Sequence, residues 1–377
     1  MGLPTRPRPG GAQGRSPKVQ YDRTVYVLAL ADDLTGALET GAKFAAAGVE
    51  AVVSAEPEGA PDAPVVVLDT ETRHLAAGAA AERVERLVRA AREAGARFLY
   101  QKTDSTLRGN IGAELGAVAR GWPGAALVYA PAYPRMGRTV RAGRLYVNGV
   151  PVSETAFARD PLNPVVESEI ARVLGPEAAG AVRIWDGATD ADVAEAARAA
   201  VEGGGAAAGP AALAEALAAI LDLPRGAAPE WPPVRRALLV NGSLHPVAQR
   251  QQEHAEAHGW PAAGPEEAGT APWTVLRVPD IAGESAPGRA RRVGGMVAGV
   301  LARTGCEGLV VFGGDTAYGI VRALGCPVLW PLREIVPGVP LARATVRGRE
   351  LYLVTKAGGF GPPAAATAIR AIMEKGS

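Results

Sequence analysis

The chain has 377 residues, 48% of them hydrophobic, with 40 Lys and Arg against 39 Asp and Glu for a formal charge of +1. That balance excludes a protein held to nucleic acid by bulk charge, and the apolar content excludes collagen-like and wholly disordered chains. At about 150 residues per domain the length sets an expectation of two or three domains.

Residues 1–20 carry Arg6, Arg8, Arg15 and Lys18, no acid and many Pro and Gly, and read as a loose basic tail. No apolar stretch follows that would make the start a secretory leader, and no charge-free run of about 18 apolar residues reads as a membrane span. A cytoplasmic location, away from membranes and nucleic acid, is expected. Cys306 and Cys326 lack metal-ligand spacing and read as small core residues in a reducing compartment.

Apolar runs at 24–31, 64–68, 97–101 and 125–130 predict buried strands, and 36–47 and 77–94 predict helices, the second with a charged outer face. Strand, helix, strand in this rhythm implies a parallel sheet covered on both faces. Residues 138–152, with Gly143 and then Asn148-Gly149, predict a hairpin. Residues 181–220 return to α/β and end in an alanine-rich helix. The segment 221–233 has four prolines in thirteen residues and marks a boundary. Beyond it, strands are predicted at 237–240, 275–278, 308–312 and 350–354. The expected architecture is α/β with two domains, each a mainly parallel sheet flanked by helices, and an active site in the cleft between them. A first domain spans 21–222, a Pro-rich linker 223–234 and a second domain 235–377.

Ligands of parallel sheets bind beyond the carboxyl ends of the strands, so the residues after each run matter most. Asp32-Asp33-Leu34-Thr35-Gly36 comes first. One aspartate can cap the following helix, which leaves the other for a metal, a hydroxyl or a proton. Next, Asp69-Thr70-Glu71-Thr72-Arg73-His74 offers an arginine that could fork onto a substrate carboxylate or close a loop salt bridge. Lys102-Thr103-Asp104-Ser105-Thr106-Leu107-Arg108 places a lysine beside an acid and three hydroxyls, in a chain whose 40 cations include only five lysines. Residues 131–139 add Arg135 and Arg138 in a rigid, proline-bearing loop. Together these loops predict a site for a small, hydroxylated, acidic molecule.

The second half presents glycines instead. Asn241-Gly242-Ser243, Gly313-Gly314-Asp315-Thr316 and Lys356-Ala357-Gly358-Gly359 each follow a predicted strand. Paired glycines make tight turns, or let backbone amides approach a phosphate; three such loops on one sheet edge favour a nucleotide. Neither GxxxxGK[ST] nor a post-strand GxGxxG is present, which argues against a Walker ATPase and a Rossmann dehydrogenase. His254 and His258, four apart on a charged helix, read as solvent-facing, while His245 either caps a helix or reaches a phosphate.

In order along residues 24–370, ADDLTGA at 31–37, DTETRH at 69–74, KTDSTLRGN at 102–110, PAYPRMGRT at 131–139 and LYVNGVPVSET at 145–155 resemble the amino-terminal half of the four-carbon acid sugar kinases. NGS at 241–243, FGGDTA at 312–317, EIVPGVP at 334–340 and VTKAGGFG at 354–361 resemble their nucleotide-binding half. The resemblance implies ATP-dependent phosphorylation of the terminal hydroxyl of D-threonate, D-erythronate or a 3-oxo-tetronate, with Mg²⁺ bridging the phosphates. On that reading Asp32, Arg73, Lys102, Thr103, Asp104, Ser105 and Arg138 hold the sugar acid. Asp32 or Asp33 orients or deprotonates the acceptor hydroxyl, with Asp104 as the competing base. Ser243, Gly313, Gly314, Asp315, Thr316, Lys356, Gly358 and Gly359 cradle ATP; no metal ligand is assigned. Asp315 stands where the family pattern has Glu, and Ala357 where it has Ser. A homodimer is compatible with the sequence, and a non-catalytic sensor of a sugar acid or nucleotide is the competing function.

Overall fold

Five consecutive buried residues, Val27–Ala31, form strand β1, and a run apolar on both faces is what a parallel strand covered by helices requires. The computed structural model describes residues 25–56, 60–160 and 162–377; the basic tail predicted at 1–20 lies outside them. After β1 come α1 (Leu34–Ala46), β2 (Ala51–Ser54), β3 (Val65–Asp69), α2 (Ala77–Glu93), β4 (Phe98–Lys102), α3 (Ile111–Gly121) and β5 (Leu127–Tyr129). The predicted hairpin is a small antiparallel sheet of β6 (Arg138–Arg141), β7 (Arg144–Val147) and β8 (Val150–Pro151). The first half closes with α4 (Ile170–Ala178), β9 (Val182–Ile184), α5 (Asp190–Glu202), β10 (Ala206–Gly209) and α6 (Ala211–Ile220).

The second half begins with β11 (Ala237–Asn241), α7 (Pro246–Ala257), β12 (Ala262–Ala263), β13 (Trp273–Leu276) and α8 (Ala286–Arg303). It continues with β14 (Gly308–Phe312), α9 (Gly314–Leu324), β15 (Val328–Val336), β16 (Val339–Val346), β17 (Arg349–Lys356) and α10 (Ala365–Lys375).

Both halves are α/β and mainly parallel, and their sheets are continuous. Among the described residues one 14-stranded sheet runs β12-β13-β11-β14-β17-β16-β15-β2-β3-β1-β4-β10-β5-β9. The join is antiparallel, with Val328 opposite Ser54 and Leu329 opposite Val53. No strand is expected from the sequence at β15 or β16, where Pro331 and Pro340 cannot donate to a ladder. Register shifts between Pro331 and Arg333 and between Glu334 and Val336 accommodate them.

Register aligns the strand ends that matter. Asp69, Ala31 and Lys102 lie side by side at the ends of β3, β1 and β4, and Asn241, Phe312 and Lys356 at the ends of β11, β14 and β17. The proline-rich segment 222–236 has no helix or strand, yet it is strapped down. Trp231 and Val234 are buried, the Gly226 N–H donates to the Gly48 carbonyl, and Arg225 donates to the carbonyls of Ala47, Ala218 and Leu221. Cys306 and Cys326 are buried and free.

Candidate functional site

The turn from β1 into α1 is fixed by Asp33, whose Oδ1 caps the helix by accepting from the Gly36 N–H at 2.8 Å. From the loop after β3, Arg73 forks onto Asp32, with Nε to Oδ2 at 2.8 Å and Nη2 to Oδ1 at 2.7 Å. Its remaining nitrogen, Nη1, reaches Asp33 Oδ2 at 2.5 Å. Burial raises the Asp32 carboxyl, and Arg73 opposes that rise. This corrects two expectations. Neither aspartate is left over once the other caps the helix, and the fork of Arg73 is already closed on Asp32, with three of its five N–H donors engaged by the two aspartates.

After β4, Asp104 is similarly held. Its Oδ2 accepts from Arg108 Nη2 at 2.6 Å, and its Oδ1 from the Thr106 N–H at 2.8 Å and from Arg108 Nε at 3.1 Å. Burial opposes its charge, but Arg108, Arg73 and the Thr106 hydroxyl prevail and hold the carboxyl well below its usual range. Asp104 is therefore a poor base, contrary to its place among the three candidates, because a carboxylate so stabilised has little affinity for a proton.

Two cations keep capacity. Lys102, 4% exposed, donates to the Thr103 carbonyl at 3.1 Å and lies 3.7 Å from Glu39 Oε2; an ammonium has three donors. Arg138 donates through Nη1 to the Met136 carbonyl, while its Nε is buried with no partner. Among the described residues no carboxylate forms an ion pair with Arg138, and burial presses its pKa downward.

These groups line one pocket. Asp33, Glu39, Lys102, Asp104, Ser105 and Arg138 face it from the first half, with Arg73 and Arg108 beside them, and Gly338, Ala357, Gly359 and Phe360 close it from the second. Asp32 and Thr103, 3% and 1% exposed, are not part of its walls: Asp32 sits on Arg73, and Thr103 joins the sheet through its N–H to Gly209.

The glycine loops of the second half pack on one another. Gly313 adopts φ 113°, which favours glycine, and leads into α9. A β-carbon on Gly314 would lie 3.2 Å from Asp33 Oδ2, so the two halves meet there. Gly242 abuts the Thr316 side chain and Gly358 abuts Ser243. Asp315 meets His74 Nε2 across the halves at 3.2 Å. That hydrogen bond, opposed by burial in each case, raises His74 and lowers Asp315. Asp315 and His74 face a second, wider opening beside α8 and α9, separated from the first pocket by Arg73 and Arg108, which line both. His245 is a helix cap, its Nδ1 accepting from the Val247 N–H at 3.2 Å.

Lys356 corrects another expectation. Its side chain is wholly buried, Nζ donates to the carbonyls of Ala357 and Phe360 at 2.7 Å each, and the ammonium lies 4.9 and 4.8 Å from the ring centroids of Phe312 and Phe360. Burial pushes it down to about 7. It ties the glycine loop from behind and presents no ammonium to the pocket, whose walls do not include it.

Sequence reasoning missed Glu39, Met136, Phe157, Gly338 and Phe360 as pocket walls. For Glu39 a signal existed: it lies one helical turn beyond Thr35, on the same face of α1. It also missed the network joining the halves, in which Lys43 donates to Glu215 at 2.8 Å and to Glu334 at 2.6 Å. Glu334 in turn accepts from the Gly338 N–H at 3.1 Å, so the EIVPGVP turn is held over the pocket by a lysine of the first half.

Comparison with known proteins agrees with this division. Residues 27–221 match a sugar-binding N-terminal domain and residues 280–366 a nucleotide-binding C-terminal domain. A D-threonate kinase of Bordetella bronchiseptica is 35% identical over 390 aligned positions, covering 89% of this chain and 94% of its own. The chain belongs to the four-carbon acid sugar kinase family. A second member, a 3-oxo-tetronate kinase of Methylobacterium radiotolerans, is 30% identical, with 88% of this chain and 95% of its own covered. A Salmonella typhimurium LT2 structure described as a putative tRNA synthase shares the fold at TM-score 0.73 and 20% identity, over 93% of this chain and 99% of that one. Among the described residues of this family member, no helix is long and apolar enough to cross a membrane.

Proposed function

We propose that this chain transfers the γ-phosphoryl group of ATP to the terminal hydroxyl of a four-carbon sugar acid such as D-threonate, D-erythronate or a 3-oxo-tetronate. The observation that carries the reading is the pocket with one wall from each matched domain, in which Arg138 and Lys102 retain donors while the other guanidiniums are occupied. The names of the relatives, all kinases of such acids, agree with it.

Arg138 and Lys102 receive the substrate carboxylate, a short anion that the arginine can fork and the ammonium can neutralise. Ser105 and Asp33 orient hydroxyls, and Arg73 fixes Asp32 and Asp33 rather than touching substrate. Residues 21–222 form the sugar-acid domain and 235–377 the nucleotide domain. The amides of Gly314, Gly358 and Gly359, with Ser243 and Thr316, hold the ATP phosphates, while the Gly313 N–H donates to the Lys356 carbonyl at 2.9 Å and ties the loops together; Asp315 adds a carboxylate at the start of α9, and Lys356 shapes the loop. Magnesium would enter on the nucleotide phosphates. There the ion supplies neutralisation of the charge on the transferring group. Closure of the two walls excludes water, which favours transfer to the sugar over hydrolysis.

The test is ³¹P NMR of the reaction of wild-type protein with MgATP and each acid. A new phosphomonoester resonance coupled to the C4 protons supports the reading; ATP hydrolysed to inorganic phosphate, or binding without turnover, contradicts it.

A further inference from the structure

Three carboxylates line the pocket: Asp33, Glu39 and Asp104. Two are occupied. Asp33 spends one oxygen on the cap of α1 and the other on Arg73, and Asp104 is bound on both oxygens by Arg108. Glu39 differs. Its side chain is 12% exposed, its nearest cation is Lys102 Nζ at 3.7 Å from Oε2, and no hydrogen bond to either of its oxygens appears among the described residues. A carboxylate on a regular helix, lining the pocket and free of hydrogen bonds, can accept a proton at little structural cost.

Resting on the kinase reading above, we propose that Glu39 is the general base of the transfer, accepting the proton of the acceptor hydroxyl. The hydroxyl oxygen forms the new bond to the γ-phosphorus, the bond from that phosphorus to the β,γ-bridging oxygen breaks, and ADP leaves with the electron pair. The proton passes to Glu39 and then to solvent on product release.

The electrostatics agree with this role. Burial pushes the Glu39 carboxyl up to about 7; Lys102 and Lys43 pull it down, and Glu334 and Asp33 push it up. From the surrounding elements, Arg138, Tyr133 and Tyr100 also lie within its field. A base is effective when its pKa is near the working pH; Asp104 is held low, and both oxygens of Asp33 are already engaged, by the Gly36 N–H and by Arg73.

The experiment measures ADP release by wild type, Glu39→Gln and Glu39→Asp with MgATP and the best four-carbon acid across pH 5.5–9, beside a thermal melt of each. In wild type kcat should rise with pH and level off above an apparent pKa of about 7. Glu39→Gln should lower kcat by about 100-fold or more and abolish that limb, with KM for ATP changed less than about threefold. Glu39→Asp should keep the limb at reduced rate. Should the Gln variant fail to fold, Glu39→Ala with added formate serves instead, and pH-dependent rescue of kcat is the expected result. Glu39→Gln turnover within about threefold of wild type, with the limb intact, overturns the assignment of Glu39 alone. A wild type that releases no ADP with any of these acids overturns the kinase reading and this proposal together.

Discussion

The two walls of the pocket hold their shape by opposite means. The first-half wall is charge set against charge: Arg73 on Asp32 and Asp33 and Arg108 on Asp104, backed by Lys43, which holds Glu215 and, from the second half, Glu334. The second-half wall is backbone: glycines packed on Ser243 and Thr316, with one buried lysine holding two loop carbonyls. On the first wall a change of charge propagates to its partners, so each arginine must be asked what it already holds. On the second, a change of volume matters most.

The most damaging test of the charged wall is Arg73→Met, which leaves Asp32 and Asp33 facing each other with no guanidinium. Breaking such a buried pair typically costs about 3–5 kcal/mol, so urea denaturation should show a loss of that order together with loss of turnover; an unchanged midpoint would make the pairing superficial. Arg138→Ala comes next and separates binding from folding. Because Arg138 has no carboxylate partner to strand, KM for the sugar acid should rise by about 30-fold, roughly the 2 kcal/mol of a charge-assisted contact, while nucleotide affinity stays fixed. The reverse pattern would move the substrate carboxylate elsewhere.

Lys356→Met probes the backbone wall. It relieves a desolvated charge but leaves the Ala357 and Phe360 carbonyls unpaired, so ATP affinity should weaken by about tenfold, or ~1.4 kcal/mol, with KM for the sugar acid unchanged in steady-state kinetics. A collapse of kcat at unchanged ATP affinity would restore Lys356 to direct contact with the reacting phosphate. The smallest effect concerns pH. Glu114 on α3 is buried, with Oε2 accepting from Gln101 at 2.9 Å and Oε1 unpartnered, and burial raises it from 4.5 to about 8. Between those values the unfolded chain has lost a proton that the folded chain keeps, so stability falls as pH rises from about 4.5 to 8. Melting curves should show Glu114→Gln with a shallower decline than wild type over that range; an equal slope would mean Glu114 is ionised in the folded state. Asp104 acts the other way, its stabilisation being lost as pH falls through its depressed pKa.

Much of the site was legible because strand ends are legible. Apolar runs followed by polar or glycine-rich clusters gave the loops after β1, β3, β4, β11, β14 and β17, and all of them lie at aligned strand ends. Partnership was not legible. Arg73 and Arg138 look alike in sequence, yet one is paired with two aspartates and the other has no carboxylate partner, a difference set by tertiary contacts rather than spacing. Lys356 sits in the glycine motif but faces Phe312, and its side of the strand decides what it touches. Glu39 was hidden inside an ordinary helical period. The β15–β16 hairpin, which carries Gly338 to the pocket and joins the two sheets, was masked by prolines that its bulges tolerate.

The central claim is that a four-carbon sugar acid held in this pocket takes a phosphoryl group from ATP held at the glycine loops beside it. Coupled ADP release from the wild-type protein with MgATP, measured across D-threonate, D-erythronate, their L forms and the 3-oxo acids, tests it most directly. The account predicts saturable ADP release that depends on at least one of these acids and is negligible without them. Release of ADP at the same rate with and without every acid, or none at all, would contradict it.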